Sequence, residues 1–125
     1  MKNSEITAAV INLNAIIEKK EKYPVKFSYA LTKNLKDLEP LSKAFEEERN
    51  KLLDQYNIKD KDGDPAYVKA GKIEIAEEYQ DAWEKEMQEL LDIEVEFSPH
   101  KISMNDLPEQ IEPDILYVLS FMIQE

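Results

Sequence analysis

The chain has no cysteine, one histidine and only two glycines in 125 residues. Without cysteine it can form no disulfide, no thiolate nucleophile and no cysteine-held zinc. A single histidine, His100, removes most catalytic triads and imidazole metal sites. Two glycines leave little room for a glycine-rich loop that would cradle phosphates. Long apolar runs are missing too. Residues 115–123, interrupted by Ser120, give about half of the ~20 residues that span a bilayer. The opening MKNSEITAAV has no apolar core or small-residue cleavage site of a signal peptide. These absences point to a cytoplasmic protein in a reducing interior.

A surplus of positive charge is also lacking. The formal net charge is −11, unevenly spread. Residues 1–36 hold seven lysines against three glutamates, so the remainder carries −15. From Glu74 to Glu96 ten acids face one lysine, Lys85. This balance argues against binding to nucleic acid or an anionic membrane. It favours internal pairing of the two halves or a basic partner.

One domain suits this length, and the chain can bury a core without staples. The periodicity predicts a mostly α fold with a minor β element: an antiparallel helical hairpin or small bundle. Ser4 is the expected N-cap of the first helix, with Glu5 in its first turn. Its apolar stripe is Ile6, Val10, Leu13 and Ile17. Tyr23-Pro24 stops it, because the residue before proline is pushed out of the α region. In the second helix Leu31, Leu35, Leu38, Ser42, Phe45, Arg49, Leu52 and Tyr56 follow 4-3-4-3 spacing, a coiled-coil-like heptad seam with two polar members. Pro40 predicts a kink or break near residues 37–40.

Residues 57–65 read as a turn, and the 57–75 stretch as an excursion between the two long helices. Residues 67–69 and 72–75 are expected to form a small hairpin. A third helix is expected over 76–91, with Tyr79, Trp83, Met87 and Leu90 as its packing stripe and its acids on a solvated face. Paired with helix two, it places Lys33 and Lys36 at the same end as Glu86, Glu89 and Asp92. Residues 93–97 alternate with period two, which predicts a half-buried strand. A last helix begins at Glu112-Pro113-Asp114 and buries Ile115, Leu116, Leu119 and Met122. The segment ILYVLSFMI is apolar nearly all round, so it is either wedged centrally or covered by a partner.

Candidate chemistry is sparse. With Gly63 at the sixth position of a calcium loop, Ile58 and Lys69 fall at its first and last positions, where oxygen ligands belong. The Asp-rich turn is the better account. Glu46, Glu47 and Asn50 on helix two and Glu77, Glu78 and Asp81 on helix three could hold magnesium, as acid pairs do in all-α nucleotide pyrophosphatases. With 27 acids such pairs are nearly unavoidable, and no basic cluster stands by to receive a triphosphate. No serine has a nucleophile-elbow context. A rod lined with carboxylates could instead mimic a nucleic-acid backbone. Plain protein–protein binding is the favoured class, without enzyme activity, cofactor or metal.

The opening MKNSEITAAVINLNAI, YPVKFSYALTKNL, LSKAFEEERNKLLDQYNIKDKDGDP and EMQELLDIEVEF together cover most of the chain. In these pieces the chain resembles a family of small proteins encoded by phages and prophages of low-GC Gram-positive bacteria. None of the pieces is a catalytic signature, so no functional residue carries over. The resemblance implies a phage accessory protein acting in bacterial cytoplasm. The expected function is therefore non-enzymatic binding to a host or phage protein, with inhibition or modulation of a host protein, such as a defence component, as its result. The candidate binding residues are Glu77, Asp81, Glu84 and Glu86 on helix three, with Tyr67 and Val68 at the hairpin. The alternatives are a self-associating virion or tail assembly component and, below it, the magnesium-dependent pyrophosphatase.

Overall fold

The computed structural model describes residues 1–57, 67–68, 72–73 and 75–124. The fold is mostly helical with minor β structure, and the chain divides into two compact units. One comprises Met1–Ser42 and Glu94–Glu125, the other Lys43–Ile93. The expected turn at 57–65 and the calcium loop weighed over 58–69 lie outside the described residues, apart from Asn57, Tyr67 and Val68.

In the first unit helix α1 spans Asn3–Glu18. Its N-cap is Lys2, not the expected Ser4. An antiparallel bridge to Glu94 fixes Lys2 in extended backbone, and its N–H donates to Glu5 Oε1 at 2.9 Å. The helix therefore starts two residues earlier than a Ser4 cap would allow. The stripe is also turned. Ile6, Ala9, Leu13 and Ile16 are buried, Val10 is half-buried and Ile17 is 36% exposed. Ala9 carries little hydrophobic signal, so the pattern of large side chains misplaces the centre of the face. At the C-terminus Lys20 takes φ = 54°, the left-handed conformation that ends many helices and that glycine adopts at least cost.

Helix α2 runs Val25–Tyr56 and supplies residues to both units. The break expected at Pro40 does not occur: the helix is continuous through it. Pro40 and Lys36, whose carbonyl loses its usual donor, are both exposed. Water can satisfy that carbonyl, which reduces the penalty of an interior proline. The heptad seam is the inward face. Leu31, Leu38, Ser42, Phe45 and Tyr56 are buried, while Leu35, Arg49 and Leu52 are half-buried. Lys33 pairs with Asp37 one turn along, at 3.1 Å, rather than with the acids of helix three.

Phe27, Ala30, Leu31 and Leu38 join Ile6, Leu13, Ile16, Ile102, Leu119 and Met122 in the core of this unit. Each large side chain so buried contributes roughly 1.5–3 kcal/mol. The expected strand at 93–97 shrinks to the Lys2–Glu94 bridge, because Met1 and Lys2 offer only two extended residues before α1 begins. Val95 N–H donates to the Met1 carbonyl at 2.8 Å. The period-two burial survives at Val95 and Phe97, and Phe97 meets Phe121 with ring centroids 6.5 Å apart.

The last helix is shorter than expected. Here α4 spans Pro113–Val118, with Pro113 in its first turn. A 3-10 turn follows over Ser120–Met122, and then a two-residue strand, Ile123–Gln124. That strand pairs in parallel with Ile102–Ser103 in a stretch expected to be irregular. Pairing with an extended segment pulls the chain out of the helix. It also seats Leu119 and Met122 in the core and half-buries Ile115, Leu116, Val118, Phe121 and Ile123. Of the apolar residues in 115–123, Tyr117 alone stays largely exposed, at 81%. The apolar surplus that suggested a partner is thus mostly absorbed internally.

In the second unit strands β1 (Tyr67–Val68) and β2 (Lys72–Ile73) pair antiparallel, as the hairpin expectation had it. Asn57 bridges Ile75. A 3-10 turn, Glu77–Tyr79, opens helix α3, Gln80–Leu91. Tyr56, the last residue of α2, meets Tyr79 just ahead of α3 with ring centroids 5.6 Å apart and planes tilted by 51°. This contact ties the end of α2 to the entry of α3. With strands β1 and β2 assigned, the parallel pair is β3 (Ile102–Ser103) and β4 (Ile123–Gln124).

Candidate protein-binding surface

The candidate surface lies on α3 and the turn before it. The Tyr56 carbonyl accepts the Ala76 N–H and the Ala76 carbonyl accepts the Tyr79 N–H, both at 2.9 Å. These bonds fix the entry to the helix. Glu77, Glu78 and Asp81 fall at its beginning, where the partial positive charge of unpaired amides favours carboxylates. Tyr56 on one side and the apolar stripe on the other decide which way α3 faces. Trp83 and Met87 are half-buried and Leu90 is buried, so these three point inward as expected, whereas Tyr79, the first member of the expected stripe, is 42% exposed in the 3-10 turn ahead of the helix.

What remains outward is mostly acidic, with Lys85 the one exposed base on α3. Glu77, Glu78, Asp81, Glu84 and Glu89 are all exposed. Glu77, Asp81 and Glu84 sit at spacings of four and three, which places them on one side of the segment. Gln80 donates to Glu84 Oε1 at 3.1 Å, and Gln88 to Asp92 Oδ1 at the same distance. Among the described residues no ion pair engages Glu77, Glu78, Asp81, Glu84 or Glu89. Lys51 is taken up by Glu48 at 2.9 Å. Five carboxylates thus meet water with no ion pair among the described residues.

Glu86 departs from this pattern. It was expected among the exposed binding residues, but it is half-buried. The Tyr56 hydroxyl donates to it, and that bond, then burial, then the carboxylate's charge hold the Tyr56 phenol above its ordinary value. Its other oxygen, Oε2, is buried with no protein partner, as are Arg49 Nε and both side-chain polar atoms of Asn57. The physical reason is spacing: Glu86 follows Trp83 by three residues and precedes Leu90 by four, so it belongs to the inward stripe. Tyr67 and Val68 are placed on β1, but their side chains lie outside the described residues.

The magnesium constellation does not assemble. Glu46, Glu47, Asn50, Glu77, Glu78 and Asp81 are all exposed, and no three metal-ligating side chains converge among the described residues. His100 serves the first unit through its backbone. Asn34 Nδ2 donates to the His100 carbonyl at 2.9 Å, and Asn34 Oδ1 accepts the His100 N–H at 2.7 Å. Sequence reading missed both Asn34 and Tyr56–Glu86. The signal for Asn34 was present: it lies between Leu31 and Leu38 on the buried face, at spacings of three and four.

Compared with protein-family models, with curated proteins and with solved structures, the chain matches none. No helix among the described residues is long and apolar enough to cross a membrane.

Proposed function

We infer that the protein is a non-enzymatic binding protein that engages a basic protein partner through the acidic face of α3. One observation carries the reading: Glu77, Asp81 and Glu84 share a side, are exposed, and have no ion pair among the described residues. Their apolar neighbours on the same helix are turned inward, so recognition rests on charge more than on burial. Such a surface speeds encounter with a positive patch and discriminates against negative ones. Glu86 is the internal anchor of this helix and takes no part in contact. The resemblance to phage and prophage proteins supplies the setting, in which the partner is a bacterial host protein and binding restrains it.

The test is capture from bacterial lysate with the wild-type chain and with Glu77→Lys/Asp81→Lys/Glu84→Lys. Proteins retained by the wild type should be lost from the charge-reversed variant, and should elute with salt. Equal retention by both chains would dispose of the acidic face as the binding surface.

A further inference from the structure

Away from α3, the first unit has an open cleft of about 530 Å³ at the start of α2. Val25, Lys26 and Tyr29 form one wall, and His100, Lys101, Ile102, Ser103, Asp106 and Gln124 the other. This volume lies in the range of small-molecule sites, roughly 300–1,000 Å³. The cleft is made of two kinds of surface. Val25 is 84% exposed and Tyr29 56%, so a considerable apolar and aromatic area is left uncovered at its mouth. Around that area stand the charged and polar groups.

Their balance is unusual for so acidic a chain. Lys101 is exposed and engages in no ion pair among the described residues. Lys26 meets Asp106 only at 3.9 Å, with its side chain 77% exposed, a pair too loose and too wet to hold it. Two ammonium groups against one carboxylate leave the lysines and Asp106 of the lining with one positive charge in excess. Ser103 Oγ accepts the Asn105 N–H at 3.2 Å, which leaves its own hydrogen to donate elsewhere.

The walls are also held rigidly. The buried Asn34 side chain grips both backbone polar groups of His100. The His100 ring stands edge-on to Tyr29 with centroids 5.2 Å apart. Pairing of β3 with β4 fixes Ile102, Ser103 and Gln124. A preformed site loses less freedom on binding than one that must be ordered.

We propose that this cleft binds a small monoanion with an aromatic body, of the aryl-alkyl carboxylate class. The carboxylate lies between Lys26 and Lys101, within reach of Ser103, and the ring lies against Tyr29 and Val25. A single negative charge matches the cleft's single excess positive charge. A dianionic phosphate would be left partly uncompensated beside Asp106.

The experiment is a titration of the full chain by amide-resolved NMR with 3-phenylpropionate, with its neutral amide 3-phenylpropionamide, with acetate and with inorganic phosphate. The carboxylate should give saturable shifts at Tyr29, His100, Lys101 and Ser103 with millimolar affinity. The neutral amide and acetate should each bind at least fivefold more weakly. Lys101→Glu should weaken 3-phenylpropionate at least fivefold while leaving the rest of the spectrum in place. Lys26→Ala provides a second variant, with a smaller loss, should the first perturb the fold. The proposal is overturned if the carboxylate gives no saturable shift at these residues, if the neutral amide binds equally well, or if phosphate binds more tightly.

Discussion

Asn34 shows how much one side chain can decide. It is fully buried, and its amide satisfies the N–H and the carbonyl of His100, while Nδ2 also lies 3.4 Å from Met122 Sδ. Removing it leaves two backbone groups of a part-buried contact short of a partner, each worth about 1–3 kcal/mol if left unsatisfied. Asn34→Ala should therefore lower the unfolding free energy by roughly 2–4 kcal/mol in urea melts. Asn34→Leu should fall nearly as far, although it refills the volume, because the lost hydrogen bonds outweigh the cavity. A near-neutral Asn34→Leu would show that the clamp contributes little. Lys20 is the opposite case. Its positive φ suits glycine, so Lys20→Gly should raise stability by about 0.5–1 kcal/mol, read as a higher urea midpoint with unchanged slope. Tyr56 offers a third measurement. Glu86 accepts its hydroxyl and raises its pKa above the ordinary 10.0, and Tyr23 is raised as well, by burial first and then by Glu21. A phenol that holds its proton more tightly when folded stabilises fully below its unfolded pKa. That stability is lost as pH rises through the higher folded value. Tyr56→Phe should remove one late-titrating phenol from the ultraviolet absorbance titration and leave the chain less sensitive to alkali above about pH 10. None of these three roles shows in composition. The Asn34 role depends on His100, distant in sequence, and the Tyr56 role on Glu86 in α3.

Among the elements, legibility followed how far each depends on its own sequence. The α2 seam from Leu31 to Tyr56 and the Trp83, Met87 and Leu90 part of the α3 stripe were readable because helical spacing is local. The entry of α4 at Pro113 was readable for the same reason, since proline at a first turn needs no distant contact. What failed was set by distant pairing. Lys2 bridges Glu94 and moves the α1 cap off Ser4, and β4 pairs with β3 and cuts the last helix short at Val118. Pro40 is a different case: no break occurs there, because its cost depends on whether the orphaned Lys36 carbonyl reaches water. Since Pro40 still withholds one hydrogen bond, Pro40→Ala should stabilise α2 by about 1–2 kcal/mol, less than the ~3 kcal/mol of a fully buried case. Thermal unfolding followed by circular dichroism checks it, and a lower midpoint would mean the proline is matched to a bend. Within α3 the acids are not equivalent. Asp81, in the first turn, should cost about 0.3–1 kcal/mol when changed to lysine, whereas Glu84→Lys should be neutral or slightly stabilising, since it lies beyond the first turn among like charges. A binding loss in Glu84→Lys is therefore cleanly attributable to the surface.

For the whole molecule, charge is the property the sequence states most openly and the fold leaves least changed. The −11 net charge divides unequally, with fifteen acidic and eight basic residues in Lys43–Ile93, or −7, and −4 in the remainder. The candidate surface was legible to this extent: the density of acids on α3 was visible, but not that Glu86 turns inward while its neighbours remain exposed. A compact chain with excess charge of one sign repels itself, and screening at higher ionic strength relieves that repulsion over distances beyond the Debye length, about 10 Å at 0.1 M salt. Few exposed ion pairs are present among the described residues to be weakened in exchange. The thermal midpoint of the free chain should therefore rise by about 2–4 °C between low salt and about 0.5 M sodium chloride, the equivalent of roughly 0.5–1 kcal/mol. Binding to a basic partner should respond with the opposite sign, because the same salt screens the attraction that brings the two together. Differential scanning fluorimetry and a binding isotherm over one salt series measure both slopes. A midpoint that falls with salt would mean that favourable ion pairs, not repulsion, dominate the folded chain, and Glu77, Asp81 and Glu84 would then not be the uncompensated surface that recognition by charge requires.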